Sequence, residues 1–133
     1  MAGDIKILLM DDDEVLRKLT SRKLLRMGFE IETAEEGDKA VTMYQAAMDT
    51  GKPYDVVILD LVIQDGLDGK GTIAKLLKID PGVRAIVSSG FVSDPAMSTF
   101  WESGFIEILP KPYKTNELEQ VIKTVLKKQP PDL

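Results

Sequence analysis

Two residue types are missing from the 133-residue chain, which contains no cysteine and no histidine. The first absence removes disulfides, thiol nucleophiles and thiolate zinc sites. The second removes His-dependent triads, the usual zinc and iron ligand sets, and any phosphohistidine formed on the chain itself. Long apolar runs are also lacking, and none approaches the roughly 20 residues of a membrane helix. No cluster of positive charge stands out in a chain of net charge −5, which disfavours direct nucleic-acid binding. Lys123, Lys127 and Lys128 read instead as a solvated helix face placed well for the helix dipole. No G-x-G-x-x-G or G-x-x-x-x-G-K-[ST] follows the first apolar run, so a nucleotide site is not expected. Met1-Ala2-Gly3-Asp4 carries no basic segment of a secretion signal, and a cytoplasmic location without membrane insertion is expected.

What is present is the composition of a soluble globular domain, 44% apolar and 29% charged. The length fits one domain over 1–133, with a core at about 5–128 and a linker or chain end at 129–133. Short aliphatic runs alternate with helical periodicity. Strands are expected at about 5–10, 29–33, 55–59, 84–88 and 105–109. A helix is expected at about 14–27, with Leu16, Leu19, Leu24 and Met27 repeating at helical spacing and Gly28 as its stop. Ala40, Met43, Tyr44 and Ala47 mark a second helix before the break at Thr50-Gly51-Lys52-Pro53. Ile73, Leu76 and Leu77 mark a third, after a Gly-rich loop and before an Asp80-Pro81-Gly82 turn. Ser93-Asp94-Pro95 reads as the start of a fourth helix. Thr115 reads as the cap of a fifth, which turns Leu118, Val121, Ile122 and Val125 inward. Five such units in series predict an α/β fold, an open parallel doubly wound sheet with right-handed crossovers.

The chemistry lies where the apolar runs end. Ile5 to Met10 runs into Asp11-Asp12-Asp13, Val56 to Leu59 into Asp60, Ala85 to Val87 into Ser88-Ser89-Gly90, and Ile106 to Leu109 towards Lys111-Pro112. Parallel strands gather such ends in one crevice, where open α/β sheets bind ligands. Asp13 is best read as a helix cap. Consecutive Asp11 and Asp12 at a buried strand end are not, because packed like charges resist ionisation unless a cation neutralises them. Mg²⁺ suits such a site, since it takes oxygen ligands and binds through one or two carboxylates plus phosphate. Asp60 ends the most apolar run and, beside Mg²⁺, is a carboxylate that can attack phosphorus. Lys111 can neutralise a phosphoryl oxygen, and Ser88 or Ser89 can donate to another. Pro112 is a candidate cis-proline.

Those pieces resemble the receiver domains of two-component response regulators, from about Ile5 to Leu126. The resemblance is carried by Leu9-Met10-Asp11-Asp12-Asp13, Ile58-Leu59-Asp60 with Asp68-Gly69, Val87-Ser88-Ser89-Gly90, and Lys111-Pro112-Tyr113. Asp60-Leu61-Val62-Ile63 followed by Gly66 and Gly69 looks most like receivers attached to hybrid sensor histidine kinases. The resemblance implies a flavodoxin-like (βα)5 three-layer sandwich with strand order 2-1-3-4-5. It implies Asp60 as phosphoacceptor, Lys111 as the phosphate-neutralising lysine, and Ser89 rather than Ser88 as the switch hydroxyl. It implies Mg²⁺ held by Asp12 directly, Asp11 largely through water, Asp60, and the backbone carbonyl of Val62.

Departures from the common pattern are Gln64 where a proline is frequent, a loop after Asp60 one residue longer than in many receivers, and Pro110 before Lys111. Ile108 stands where many receivers carry a switch aromatic, leaving Phe91, Phe105 or Tyr113 to share that task. The expected function is transfer of a phosphoryl group from a partner's phosphohistidine onto Asp60. The α4–β5–α5 surface, roughly residues 94–128, would then switch, controlling an output or relaying phosphate to a histidine phosphotransfer protein. Apolar Val62 and Phe91 beside the water route predict a long-lived aspartyl phosphate. Enzymatic turnover of external substrates is not expected, and the chain is expected as a monomer or a weak homodimer through α4–β5–α5. The alternatives are a Mg²⁺-dependent phosphatase or phosphotransferase with an aspartyl nucleophile, or a dormant receiver that acts only by binding. Against the first, Val62 stands where such enzymes place their second acid; against the second, both acceptor and lysine are present.

Overall fold

A computed structural model describes residues 4–90 and 95–128, with Ala96 described by its backbone alone. Its elements run β1 (Lys6–Met10), α1 (Glu14–Arg26), β2 (Glu30–Ala34), α2 (Gly37–Asp49), β3 (Val56–Asp60) and α3 (Gly69–Ile79). They continue with β4 (Ala85–Ser89), α4 (Pro95–Ser98), a 3-10 helix (Phe100–Ser103), β5 (Glu107–Pro110) and α5 (Thr115–Lys127). The strands form one parallel sheet in the order β2-β1-β3-β4-β5, so the chain reverses direction across the sheet between β1 and β3.

Alternation along the strands builds two cores, one on each face of the sheet. Leu8, Met10, Val57, Leu59 and Val87 face α2 and α3, meeting Ala40, Tyr44, Ala47, Ile73 and Leu76. Ile7, Leu9, Val56, Ile58 and Ile86 face α1 and α5, meeting Leu24, Leu118, Val121, Ile122 and Val125. Burial on both faces explains why β3 and β4 are buried at every position. Each fully buried aliphatic side chain contributes roughly 2 kcal/mol.

Local chemistry sets the element ends. Asp13 caps α1 by accepting from the Leu16 amide at 3.1 Å, and Gly28, at φ 93°, takes the left-handed turn after its last residue. Asp80 closes its turn by accepting from the Gly82 amide at 2.9 Å. Pro110, which has no amide proton, sits in β5 at the sheet edge, where a missing donor is tolerated.

Two readings of the helices need correction. Thr115 is the first residue of α5 rather than its cap. Lys114 holds the cap position, and its amide donates to Glu117 Oε1 at 2.8 Å. The carboxylate three residues on does the capping, so a Thr at the boundary is not required. Leu19 is 48% exposed rather than inward, because the inward stripe of α1 passes through Thr20 and Leu24 instead. Of the Ser93-Asp94-Pro95 start of the fourth helix, Ser93 and Asp94 lie outside the described residues; Pro95 opens a single turn, α4.

Candidate phosphoryl-acceptor site

Three strand ends converge at the carboxyl edge of the sheet. Asp11 follows β1 and is 2% exposed; Asp60 ends β3 and is 5% exposed; Lys111 follows β5. The Lys111 ammonium lies 2.8 Å from Asp11 Oδ2 and 3.0 Å from Asp60 Oδ2. Asp12, exposed, brings a third carboxylate, so that one oxygen each of Asp11, Asp12 and Asp60 lie within 4.8 Å of one another. The Lys111–Pro112 peptide is cis.

Backbone amides hold these side chains in place. Asp11 Oδ1 accepts from the Asp13 amide at 2.9 Å, and its carbonyl accepts from Arg17 Nη1 at 2.8 Å. Asp12 Oδ2 accepts from the Gln64 amide at 3.1 Å, and Asp60 Oδ1 from the Val62 amide at 3.3 Å. Gly69, at the start of α3, is pressed against the Asp60 carbonyl. A Cβ there would lie 2.5 Å from that oxygen, so only glycine permits the approach.

The charges are unbalanced, three carboxylates against one ammonium. Burial pushes the Asp60 carboxyl up to about 6, with the Asp11 charge adding to the rise and Lys111 opposing it. Burial also disfavours the Lys111 ammonium, yet its hydrogen bonds to Asp11 and Asp60 prevail and hold it above the usual lysine range. A close set of oxygen donors with excess negative charge suits a hard divalent cation, and Mg²⁺ is the natural candidate.

Ser89 is buried at the end of β4, and its carbonyl accepts from the Lys111 amide at 2.9 Å. Ser88 points its hydroxyl at the Leu109 carbonyl, 2.8 Å away. Val62 is 39% exposed beside Asp60, whereas Phe91 lies outside the described residues. Phe105 is buried in the α2–α3 core, Ile108 is half-buried, and the Tyr113 hydroxyl is 2.7 Å from Thr20 Oγ1 of α1. Sequence reasoning missed Thr20, whose partner Tyr113 lies 93 residues away and is marked by no local pattern. It also missed Glu36, which binds the loop carrying Val62 and Gln64.

Similarity to known proteins runs along most of the chain. The family model described as response regulator receiver domain matches residues 7–123. The sensor kinase CckA of Brucella abortus (strain 2308) is 26% identical over 129 residues, covering 97% of this chain and 13% of the kinase. The probable transcriptional regulator ycf27 of Guillardia theta is 32% identical over 124 residues, covering 92% of this chain and 46% of the regulator. The chain therefore spans less than half the length of either relative. The receiver domain of NtrX from Brucella abortus superposes with a TM-score of 0.81 at 27% identity, covering 92% of this chain and 99% of that one. CheY in the CheX–CheY–BeF3–Mg²⁺ complex from Borrelia burgdorferi shares the fold with a TM-score of 0.84 at 23% identity, covering 93% and 90%. With the family model matched from β1 into α5, the chain belongs to the response regulator receiver domain family.

Proposed function

We propose that this chain accepts a phosphoryl group on Asp60 from the phosphohistidine of a sensor histidine kinase or a histidine phosphotransfer protein. Asp11, Asp12, Asp60 and the Val62 carbonyl would hold Mg²⁺. The observation that carries the reading is the Lys111 ammonium, 3.0 Å from Asp60 Oδ2 and 2.8 Å from Asp11 Oδ2, inside a group of three acids.

When bound, Mg²⁺ would neutralise charge on the acceptor and on the incoming phosphoryl oxygens. Everything else falls to the chain. Asp60 presents a carboxylate oxygen to phosphorus; the new O–P bond forms as the P–N bond to the donor imidazole breaks, and its electron pair stays on the nitrogen. Lys111, already donating to Asp60, transfers that hydrogen bond to a phosphoryl oxygen. Ser89, buried at the neighbouring strand end, supplies a hydroxyl to another, and its carbonyl ties it to the Lys111 amide. These movements bias the α4–β5–α5 surface between two arrangements. The likeness to a sensor kinase supports a place in a hybrid kinase that passes phosphate onward.

The rim of the site suggests where the donor docks. Val15 and Leu19 of α1 are exposed, and Leu19 lines a cleft of about 410 Å³ with Leu16, Pro112 and Tyr113 next to Lys111. Mass spectrometry after treatment with acetyl phosphate and Mg²⁺ tests the proposal. One added phosphate is expected on the native chain and none on Asp60→Asn. No adduct on the native chain would favour a module that acts by binding alone, and turnover of small phosphate esters would favour an enzyme.

A further inference from the structure

The loop between β3 and α3, residues 61–68, carries both Val62 and Gln64, whose amides reach Asp60 and Asp12. Its first half is therefore tied to the acidic cluster. Its second half is tied to a side chain outside the acidic cluster, Glu36. Glu36 precedes α2, and its Oε1 accepts from the Asp38 amide at 2.8 Å and from the Leu67 amide at 3.3 Å. Its Oε2 accepts from the Lys39 amide at 3.1 Å. The Leu67 carbonyl accepts in turn from the Gly37 amide at 2.8 Å. Gly66, at φ 138°, lies flat on the stem of Glu36, and a Cβ there would come within 2.8 Å of Glu36 Cβ and Cγ. The loop thus closes onto one carboxylate that also caps a helix.

We infer that Glu36 is a positioning residue for the cation site, fixing the 61–68 loop so that the Val62 carbonyl and the Gln64 amide stand ready at Asp60 and Asp12. This inference rests on the proposed reading of the acidic cluster. A cap alone needs only a short acceptor, and aspartate serves that role as well as glutamate or better. Glutamate adds a methylene, and with it one oxygen serves the helix amide and the loop amide together. Capping and loop anchoring can therefore be separated. Glu36→Asp keeps an acceptor for the first turn of α2 but falls short of Leu67. Glu36→Gln keeps the length and the oxygen that meets both Asp38 and Leu67.

The test compares the native chain, Glu36→Asp and Glu36→Gln by amide hydrogen exchange and by titration with Mg²⁺ alone. In Glu36→Asp, the Leu67 and Gln64 amides are expected to lose protection while the α2 interior keeps it. Mg²⁺ affinity should fall about 10-fold, the scale on which residues that orient ligands act. Glu36→Gln should restore Leu67 protection and bring affinity within about 2-fold of native, a smaller loss than that scale. Unchanged Mg²⁺ affinity in Glu36→Asp, or equal losses in both variants, overturns the role of Glu36 and leaves the acidic cluster as a cation site. A native chain that takes up no Mg²⁺ overturns the cluster reading itself, and loop protection in the three proteins then reports an anchor without a cation role.

Discussion

Asp60 is a carboxylate that the fold buries against its own ionisation. Its carboxyl is raised to about 6 from an ordinary 3.8, burial being the largest cause. The folded chain thus holds this proton more tightly than the unfolded one. The resulting contribution to stability is full below about 3.8 and is lost as pH rises through about 6. Urea titrations without divalent cations should show that decline between pH 4 and 7. Asp60→Asn should flatten it and be more stable than the native chain at pH 7 by on the order of 1 kcal/mol. A variant less stable at pH 7 would mean that Lys111 more than compensates for burial. The acids and the lysine of this cluster were legible in the sequence because each stands next to an apolar run, so strand and side chain are read together. Glu36 and the Thr20–Tyr113 hydrogen bond were not. Both join residues distant in sequence, and their meeting depends on loop paths that no local pattern encodes.

Among the elements, α1 departs most from its sequence pattern. Leucines at helical spacing suggested an inward stripe, yet α1 buries Thr20 and Leu24 and leaves Val15, Leu19 and Leu25 exposed. The helix lies beside the crevice, and the Thr20 hydroxyl answers Tyr113 of the β5–α5 loop rather than an apolar neighbour. Polar pairing therefore took a position that periodicity assigns to aliphatic residues. Exposed leucines on a helix at the mouth of the site predict a contact surface. Leu19→Ser should change stability by less than about 0.5 kcal/mol in urea titration, as expected of an exposed position. It should slow phosphoryl transfer from a phosphohistidine protein far more than loading from acetyl phosphate, as stopped-flow comparison of the two donors would show. Equal slowing with both donors would place its effect at the site and not at the docking surface. The strands were easier to place: continuous apolar runs mark strands covered on both faces, and their ends fall within one or two residues of those expected.

At the scale of the whole molecule, one cation would connect chain segments distant in sequence. Asp11 and Asp12 follow β1 and Asp60 ends β3, so a shared ion crosslinks the folded state and has no equivalent in the unfolded one. At ten times its dissociation constant Mg²⁺ should add about 1.4 kcal/mol of stability. That corresponds to a rise of roughly 4–6 °C in Tm by scanning calorimetry. Asp12→Ala should abolish the rise, and a rise of equal size in that variant would place the ion elsewhere. Overall architecture was the most legible level, since five strand-helix units in series leave few parallel topologies open. The sole tryptophan, Trp101, is 60% exposed on the 3-10 helix leading into the edge strand, with Phe100 set edge-on at 5.4 Å. The chain consequently carries a native fluorophore on one flank, and a protein that covered that flank would shift its emission to the blue with no dye attached.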